Sequence, residues 1–185
     1  MSDGTEGDPA TRTVLVDASA YITLASVGQA DLVPTLRGNC VVPEGVANEI
    51  RQPPAADGLD RARSDGDLEV VSAPDTSRTA AAEHLGQDPT TAAADTPGDV
   101  ALLACALDAT DPVVVTDDRP LRKTCRALSI PVSGSIGVLV PAVETGAIEA
   151  HRARSTLYAM DEVGARLSAS LVRRAEDLIE AASRD

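Results

Sequence analysis

The sequence of 185 residues contains no phenylalanine or tryptophan and only two tyrosines, so a core built on aromatic packing is excluded. The hydrophobic fraction is nevertheless 43%, as in globular proteins, and a chain of this length can bury one sizeable core. We therefore expect one main domain packed with Val, Leu, Ile and Ala. An aromatic platform for stacking nucleotide bases is lacking as well.

Histidine and cysteine are scarce, which excludes several kinds of catalytic site. His84 and His151 are the only histidines and lie far apart in the sequence, so it supports neither a histidine-based zinc site nor a Ser-His-Asp triad. Cys40, Cys105 and Cys125 form no C-x-x-C pair and stand in apolar surroundings. This pattern indicates buried, reduced thiols rather than a redox or zinc centre.

Long apolar runs are also missing. No segment approaches the ~20 apolar residues that a membrane-spanning helix needs. The first ten residues, MSDGTEGDPA, have neither the basic start nor the apolar stretch of a signal peptide. We expect a soluble, cytoplasmic protein with no membrane partner, in which residues 1–12 form a disordered acidic tail.

Positive charge is sparse: 16 Lys and Arg face 29 Asp and Glu, and the net charge is -13. At low ionic strength this balance argues against a nucleic-acid partner, because phosphate contacts need a positive surface. Lys123 is the only lysine, however, and an acidic surface with arginine as its main cation is typical of a salt-adapted cytoplasm. In molar salt the Debye length falls to ~3 Å, so acidic charge repels a polyanion far less. An acidic interaction surface is the alternative explanation.

Short β-branched runs alternate with segments of helical periodicity up to about residue 145. We predict five strands: Thr13–Asp17, Cys40–Val42, Leu68–Ser72, Val113–Thr116 and Pro131–Ser133. We predict helices over residues 18–28, 44–51, 59–66, 78–85, from 97 onward, 121–130 and 135–145. Strands that alternate with helices indicate an open, mainly parallel α/β sheet.

The chain from Ala147 onward is helical only, with one helix to about Met160, a break at Gly164 and a last helix capped by Ser168. We expect residues 13–140 to form the α/β domain. We expect residues 141–185 to form a helical extension packed on that domain or on a dimer partner.

Four acidic residues stand where predicted strands and helices meet: Asp17, Glu49, Asp99 and Asp118. In a parallel sheet the carboxyl ends of the strands meet at one edge, where ligands collect. Each acid alone is equally well explained as a turn or cap residue. Gathered together they would repel one another unless a cation neutralised them, and carboxylate oxygens suit hard divalent cations. The pattern therefore predicts a metal site for phosphodiester chemistry.

Five motifs in a fixed order carry a family resemblance: VLVDASAYI, VVPEGVANEI, GDVALLACAL, VVVTDDRPLRKTCRALSI and PVSGSIGVL. The set resembles the PIN domain superfamily over residues 13–140, and the tail from about Pro141 is similar to the helical extension of some archaeal PIN proteins. The resemblance implies a doubly wound, three-layer α/β fold and an Mg²⁺- or Mn²⁺-dependent ribonuclease. Such proteins are often homodimeric toxins of VapBC-type pairs, with RNA as substrate and a small antitoxin as partner.

Carried over by position, the catalytic and metal-binding acids would be Asp17, Glu49, Asp99 and Asp118, with Asp117 as a further ligand. Ser19 and Thr116 would be supporting hydroxyls.

The basic residues just after the last acid, Arg119, Arg122 and Lys123, are candidates to hold the RNA backbone, and a solvated helix face is the alternative. The other functional hypothesis is a PIN-like fold retained as a non-catalytic RNA-binding or rRNA-processing module. Metal-dependent RNA cleavage separates the two hypotheses.

Overall fold

The structure is a computed structural model that describes residues 12–165 and 167–184. It contains one parallel sheet whose strands are β1 (Arg12–Val16), β2 (Asn39–Pro43), β3 (Glu69–Val71), β4 (Asp111–Val115) and β5 (Val132–Ser133). The strand order is β3-β2-β1-β4-β5. The chain builds from β1 to one edge, returns to β4 and builds to the other edge, so the sheet is doubly wound as predicted.

Helices cover both faces of this sheet. Val14, Leu15 and Val16 of β1 are at most 3% exposed, and consecutive strand residues face opposite sides. The protein is therefore a three-layer α/β fold, which confirms the prediction. Val16 is in register with Val115. The carboxyl ends of the neighbouring strands β1 and β4 consequently lie side by side, and this is where the candidate site forms.

Nine α-helices were found in the described residues: α1 (Ala18–Ser26), α2 (Glu44–Ala47), α3 (Ala55–Asp65), α4 (Asp75–Leu85), α5 (Gly98–Asp108), α6 (Arg119–Ala127), α7 (Ser135–Glu144), α8 (Ala150–Met160) and α9 (Ala169–Ala182). Short 3₁₀ segments cover Ala30–Thr35 and Ala93–Asp95. Every residue of α5 from Val100 to Ala106 is buried, and this helix packs against α2 and α4. Helix α5 therefore anchors one half of the sheet.

Several predicted boundaries were wrong. Helix α2 ends at Ala47 rather than at Arg51, and it is followed by turn hydrogen bonds from the Glu49 and Ile50 N–H groups to carbonyls three residues back. Helices α3 and α4 both begin several residues before their predicted starts. The predicted tail falls on residues 1–11, which lie outside the described residues, and on residue 12, which instead belongs to β1.

The C-terminal helices share the core of the sheet domain. Leu157 of α8 and Ile179 of α9 are fully buried in the same hydrophobic cluster as the strands. The predicted break is present: a π-type turn covers Asp161–Ala165, and Gly164 adopts φ 102°. The Ser168 hydroxyl caps α9 by accepting from the Leu171 N–H at 3.2 Å, as predicted.

Cys40, Cys105 and Cys125 are buried free thiols. Burial raises the pKa of each to about 11, so they are uncharged at neutral pH, in agreement with the prediction. Among the described residues, no helix has both the length and the apolar character needed to cross a bilayer.

Candidate active site at the carboxyl edge of the sheet

Asp17 follows β1 and is only 5% exposed. Its N–H donates to the Val115 carbonyl at 2.9 Å, which extends the pairing of β1 with β4 by one residue. Its Oδ2 accepts hydrogen bonds from the Ser19 hydroxyl at 2.5 Å and from the Thr116 hydroxyl at 2.7 Å. The two predicted supporting hydroxyls therefore both contact the first predicted acid.

The directions of these bonds follow from the neighbouring amides. The Asp117 N–H donates to Ser19 Oγ at 3.1 Å, and the Asp118 N–H donates to Thr116 Oγ1 at 3.0 Å. Each hydroxyl accepts from a backbone amide and donates its own hydrogen bond to Asp17. Asp17 is thus held in one orientation by Ser19 of α1 and by Thr116, which follows β4.

Glu49 lies in the turn after α2 and reaches the start of α5. Its Oε1 accepts from the Gly98 N–H at 3.0 Å. The approach depends on glycine, because a Cβ at Gly98 would lie 2.5 Å from Glu49 Oε1. Gly45 likewise allows α2 to lie close to the segment before α5, since a Cβ there would lie 2.8 Å from the Thr96 carbonyl oxygen. Two glycines therefore bring Glu49 to the amino end of α5.

Asp99 lies in the first turn of α5, where the helix macrodipole favours a carboxylate. Its Oδ2 accepts from the Gln87 side-chain amide at 2.5 Å, and its Oδ1 accepts from the Val100 N–H at 2.8 Å. Gln87 was not among the predicted site residues. Its place at the end of α4 depends on Gly86, whose left-handed conformation ends the helix and lets the Gln87 N–H donate to the Ala82 carbonyl.

Asp17 and Asp99 both lie close enough to Glu49 for their charges to act on it. Burial raises the pKa of Glu49, and the charges of Asp17 and Asp99 raise it further, against the opposing effects of the Gly98 N–H and Arg51. The ion pairs found among the described residues include none of these three acids. Within the described part of the chain, Arg51 therefore acts on Glu49 without forming an ion pair with it.

Asp117 and Asp118 directly follow Thr116 in the chain, and each contacts the start of a helix. Asp118 Oδ1 accepts from the Leu121 N–H at 2.7 Å and caps α6. Asp117 Oδ1 accepts from the Ser135 N–H at 2.9 Å, at the start of α7. Each carboxylate thus has a structural contact for one oxygen.

The basic residues of α6 differ in their surroundings. Arg122 is half-buried and its Nη1 donates to the Thr116 carbonyl at 2.8 Å. Burial lowers its pKa, and the nearby Arg126 guanidinium lowers it further. Arg119 and Lys123 are exposed. Arg122 therefore contacts the backbone directly after β4. The other two predicted RNA-binding residues, Arg119 and Lys123, are available to a ligand.

The donor set suits a hard cation, although its present arrangement is not a finished metal site. Within residues 12–165 and 167–184, no group of three or more His, Cys, Asp or Glu side chains is arranged to hold a metal ion. The carboxylates of Asp17, Glu49 and Asp99 are nevertheless the oxygen ligands that Mg²⁺ and Mn²⁺ prefer. The residues therefore fit such an ion in kind.

A cleft of about 860 Å³ is lined by Ser19, Asp117 and Asp118 and by residues of helices α6, α7 and α9. Asp17, Glu49 and Asp99 are not among the described residues that line it. We call it the α6–α9 cleft. Lys123 is not among the described residues that line it.

Comparison with known families identifies the fold. The family model DUF3368, described as a PIN domain, matches residues 13–181, which includes both the sheet and the C-terminal helices. A search of curated proteins finds no match. PIN domains are generally nucleases that use divalent metals. Because the model covers far more than half of the sequence, the chain belongs to this PIN-domain family.

Proposed function

We propose that the protein is an Mg²⁺- or Mn²⁺-dependent endoribonuclease that hydrolyses phosphodiester bonds in RNA. One observation supports the proposal: the charges of Asp17 and Asp99 act on Glu49, and the ion pairs found among the described residues include none of these three acids. Such a group is unfavourable by itself and is stabilised by a divalent cation.

The residues of the chain have distinct roles in this mechanism. Asp17, Glu49 and Asp99 would hold the cation. Asp117 and Asp118, which follow Thr116, would supply further oxygens. Ser19 and Thr116 orient Asp17, and Gln87 orients Asp99. The bound cation would lower the pKa of a water and neutralise charge on the scissile phosphate.

Asp17→Asn tests the proposal. We expect it to abolish Mn²⁺-dependent cleavage of a labelled RNA, because an amide removes the ligand charge while nearly keeping the shape of the side chain. Circular dichroism and thermal melting check the fold. Asp60→Asn is the matched control, because Asp60 is an exposed aspartate on α3 and should tolerate the same change.

Cleavage by the Asp17→Asn variant at the wild-type rate would remove Asp17 from the mechanism. Glu49→Gln is a second variant for use if Asp17→Asn fails to fold, and calorimetric titration with Mn²⁺ should show weakened binding in both. A wild-type protein that binds no Mn²⁺ and leaves RNA intact would contradict the proposal as a whole.

The alternative function is a non-catalytic RNA-binding or rRNA-processing assembly module. A protein of this kind would bind RNA equally well with and without Mn²⁺ and would release it uncut.

A more specific proposal is that the protein is a cytoplasmic, homodimeric toxin of a VapBC-type pair, with a small antitoxin as its partner. The resemblance of the motifs to the PIN domain superfamily supports this proposal. A short neighbouring reading frame that encodes a DNA-binding fold would favour it, and sedimentation analysis of the purified protein tests for the dimer.

A further inference from the structure

The α6–α9 cleft concentrates positive charge in a protein that is otherwise strongly acidic. Four arginines line it: Arg119, Arg122 and Arg126 from α6, and Arg174 from α9. The three on α6 are spaced i, i+3 and i+7, so they lie on one face of the helix. Arg174 reaches the same cleft from a segment about fifty residues later in the sequence. The only acidic side chains among the described lining residues are Asp117 and Asp118.

These guanidinium groups form no ion pairs within the described part of the chain. The charge of Asp117 acts on Arg122, but Arg126 is also close enough to Arg122 for their charges to repel. Four cations against two carboxylates favour a bound anion, and arginine matches phosphate geometry particularly well.

We propose that Arg126 and Arg174 form a backbone-binding subsite for single-stranded RNA in the α6–α9 cleft, next to the acids. The C-terminal helices would then complete the substrate site as well as the core. This inference rests on the proposed function, because it assigns the path of the RNA strand that the acids would cut.

The shape of the cleft favours a single strand. Its volume falls within the range of ligand pockets, which admits a short stretch of flexible chain, whereas a duplex would need an exposed element to enter one of its grooves. Leu171 and Leu178 are 43% and 46% exposed and lie three residues before and four residues after Arg174, on the same face of α9. They offer apolar contact to riboses and bases beside the cationic groups.

Continuity with the acids favours RNA over a protein ligand. Ser19 lines the cleft and also donates to Asp17, so a strand in the cleft would pass next to that carboxylate. An acidic peptide could also pair with the arginines, but the nearby acids would contribute nothing to its binding. Such a peptide is therefore the competing ligand in the experiment.

The test compares Arg126→Ala and Arg174→Ala with Arg173→Ala. Arg173 is the matched control, because it is exposed on the same helix, lies next to Arg174 and is not among the described lining residues. The probe is a fluorescein-labelled oligouridylate in EDTA, where no cleavage occurs, and Kd is measured by anisotropy over a series of KCl concentrations.

We expect each cleft variant to raise Kd by about 3- to 10-fold and to reduce the log-log salt slope by about 0.7, the value for one lost phosphate contact on a single strand. The control should stay near the wild-type Kd. In Mn²⁺ the cleft variants should raise KM more than they lower kcat, and Arg174→Lys should restore part of the affinity. Circular dichroism excludes misfolding as the cause.

Wild-type affinity and salt slope in both cleft variants, in a protein that still cleaves RNA, would overturn this inference and leave the proposed function intact. The inference also fails if the substitutions weaken only the binding of a labelled oligoglutamate peptide. A wild-type protein that neither binds nor cuts the oligonucleotide would overturn both.

Discussion

At the scale of single residues, the site depends on residues that perform no chemistry themselves. Gly98 lets Glu49 approach α5, and Gln87 fixes one oxygen of Asp99. The acids at strand ends could be predicted because parallel strands end at a common edge. Gln87 and the turn that carries Glu49 could not, because their positions depend on contacts between distant segments.

Gly98→Ala should impair the site more than the fold. The added Cβ would lie 2.5 Å from Glu49 Oε1, so the Glu49 side chain must move. We expect RNA cleavage in Mn²⁺ to fall by about 10- to 100-fold, as for loss of a group that orients a metal ligand. The stability cost of overpacking should be about 1–3 kcal/mol, measured by urea unfolding.

Ala104→Gly is the control for Gly98→Ala. It lies in the same helix, is fully buried and should cost about 1 kcal/mol of stability without altering Glu49. If both variants lose stability but only Gly98→Ala loses activity, the contact with Glu49 is responsible. Equal activity in both would show that the exact position of Glu49 is unimportant.

At the scale of helices and strands, the strands were the most predictable elements. All five predicted strands are present, because β-branched runs bounded by Pro, Gly and Asp leave few alternatives. The predicted extent of α2 was wrong for a tertiary reason. The sequence EGVANEIR has helical periodicity to Arg51, but the chain leaves the helix after Ala47 and directs Glu49 to the Gly98 N–H.

Helix α9 should lose stability when its amino-terminal cap is removed. The Ser168 hydroxyl accepts from the Leu171 N–H, and replacement of such a cap by alanine typically costs about 1 kcal/mol. We therefore expect Ser168→Ala to lower the free energy of unfolding by about that amount in urea titrations. Ser155→Ala, at an exposed position inside α8, should be nearly neutral. Equal losses for the two variants would contradict a specific capping role.

At the scale of the whole molecule, the C-terminal helices belong to the same hydrophobic core as the sheet. The family model likewise continues through them to residue 181. Helical periodicity predicted both helices, with a break at Gly164. Sequence alone could not show that α9 supplies a wall of the cleft, because that depends on how the helix docks.

The net charge of -13 makes stability depend on ionic strength. Screening of acidic self-repulsion should raise the melting temperature between 0.1 and 2 M KCl. Matched concentrations of an uncharged osmolyte control for general solute effects. A melting temperature that stays constant or falls in KCl would show that surface repulsion is not a significant cost, and it would remove support for adaptation to a saline cytoplasm.

The hydrogen bonds around Asp17 also limit what this residue can do. Ser19 and Thr116 both direct their protons to the same oxygen, Oδ2, because backbone amides occupy acceptor positions on each hydroxyl. Both hydroxyl hydrogen bonds therefore act on one oxygen and fix the orientation of the carboxylate. Oδ1 receives neither of them, so it is the oxygen of Asp17 that is left for a ligand.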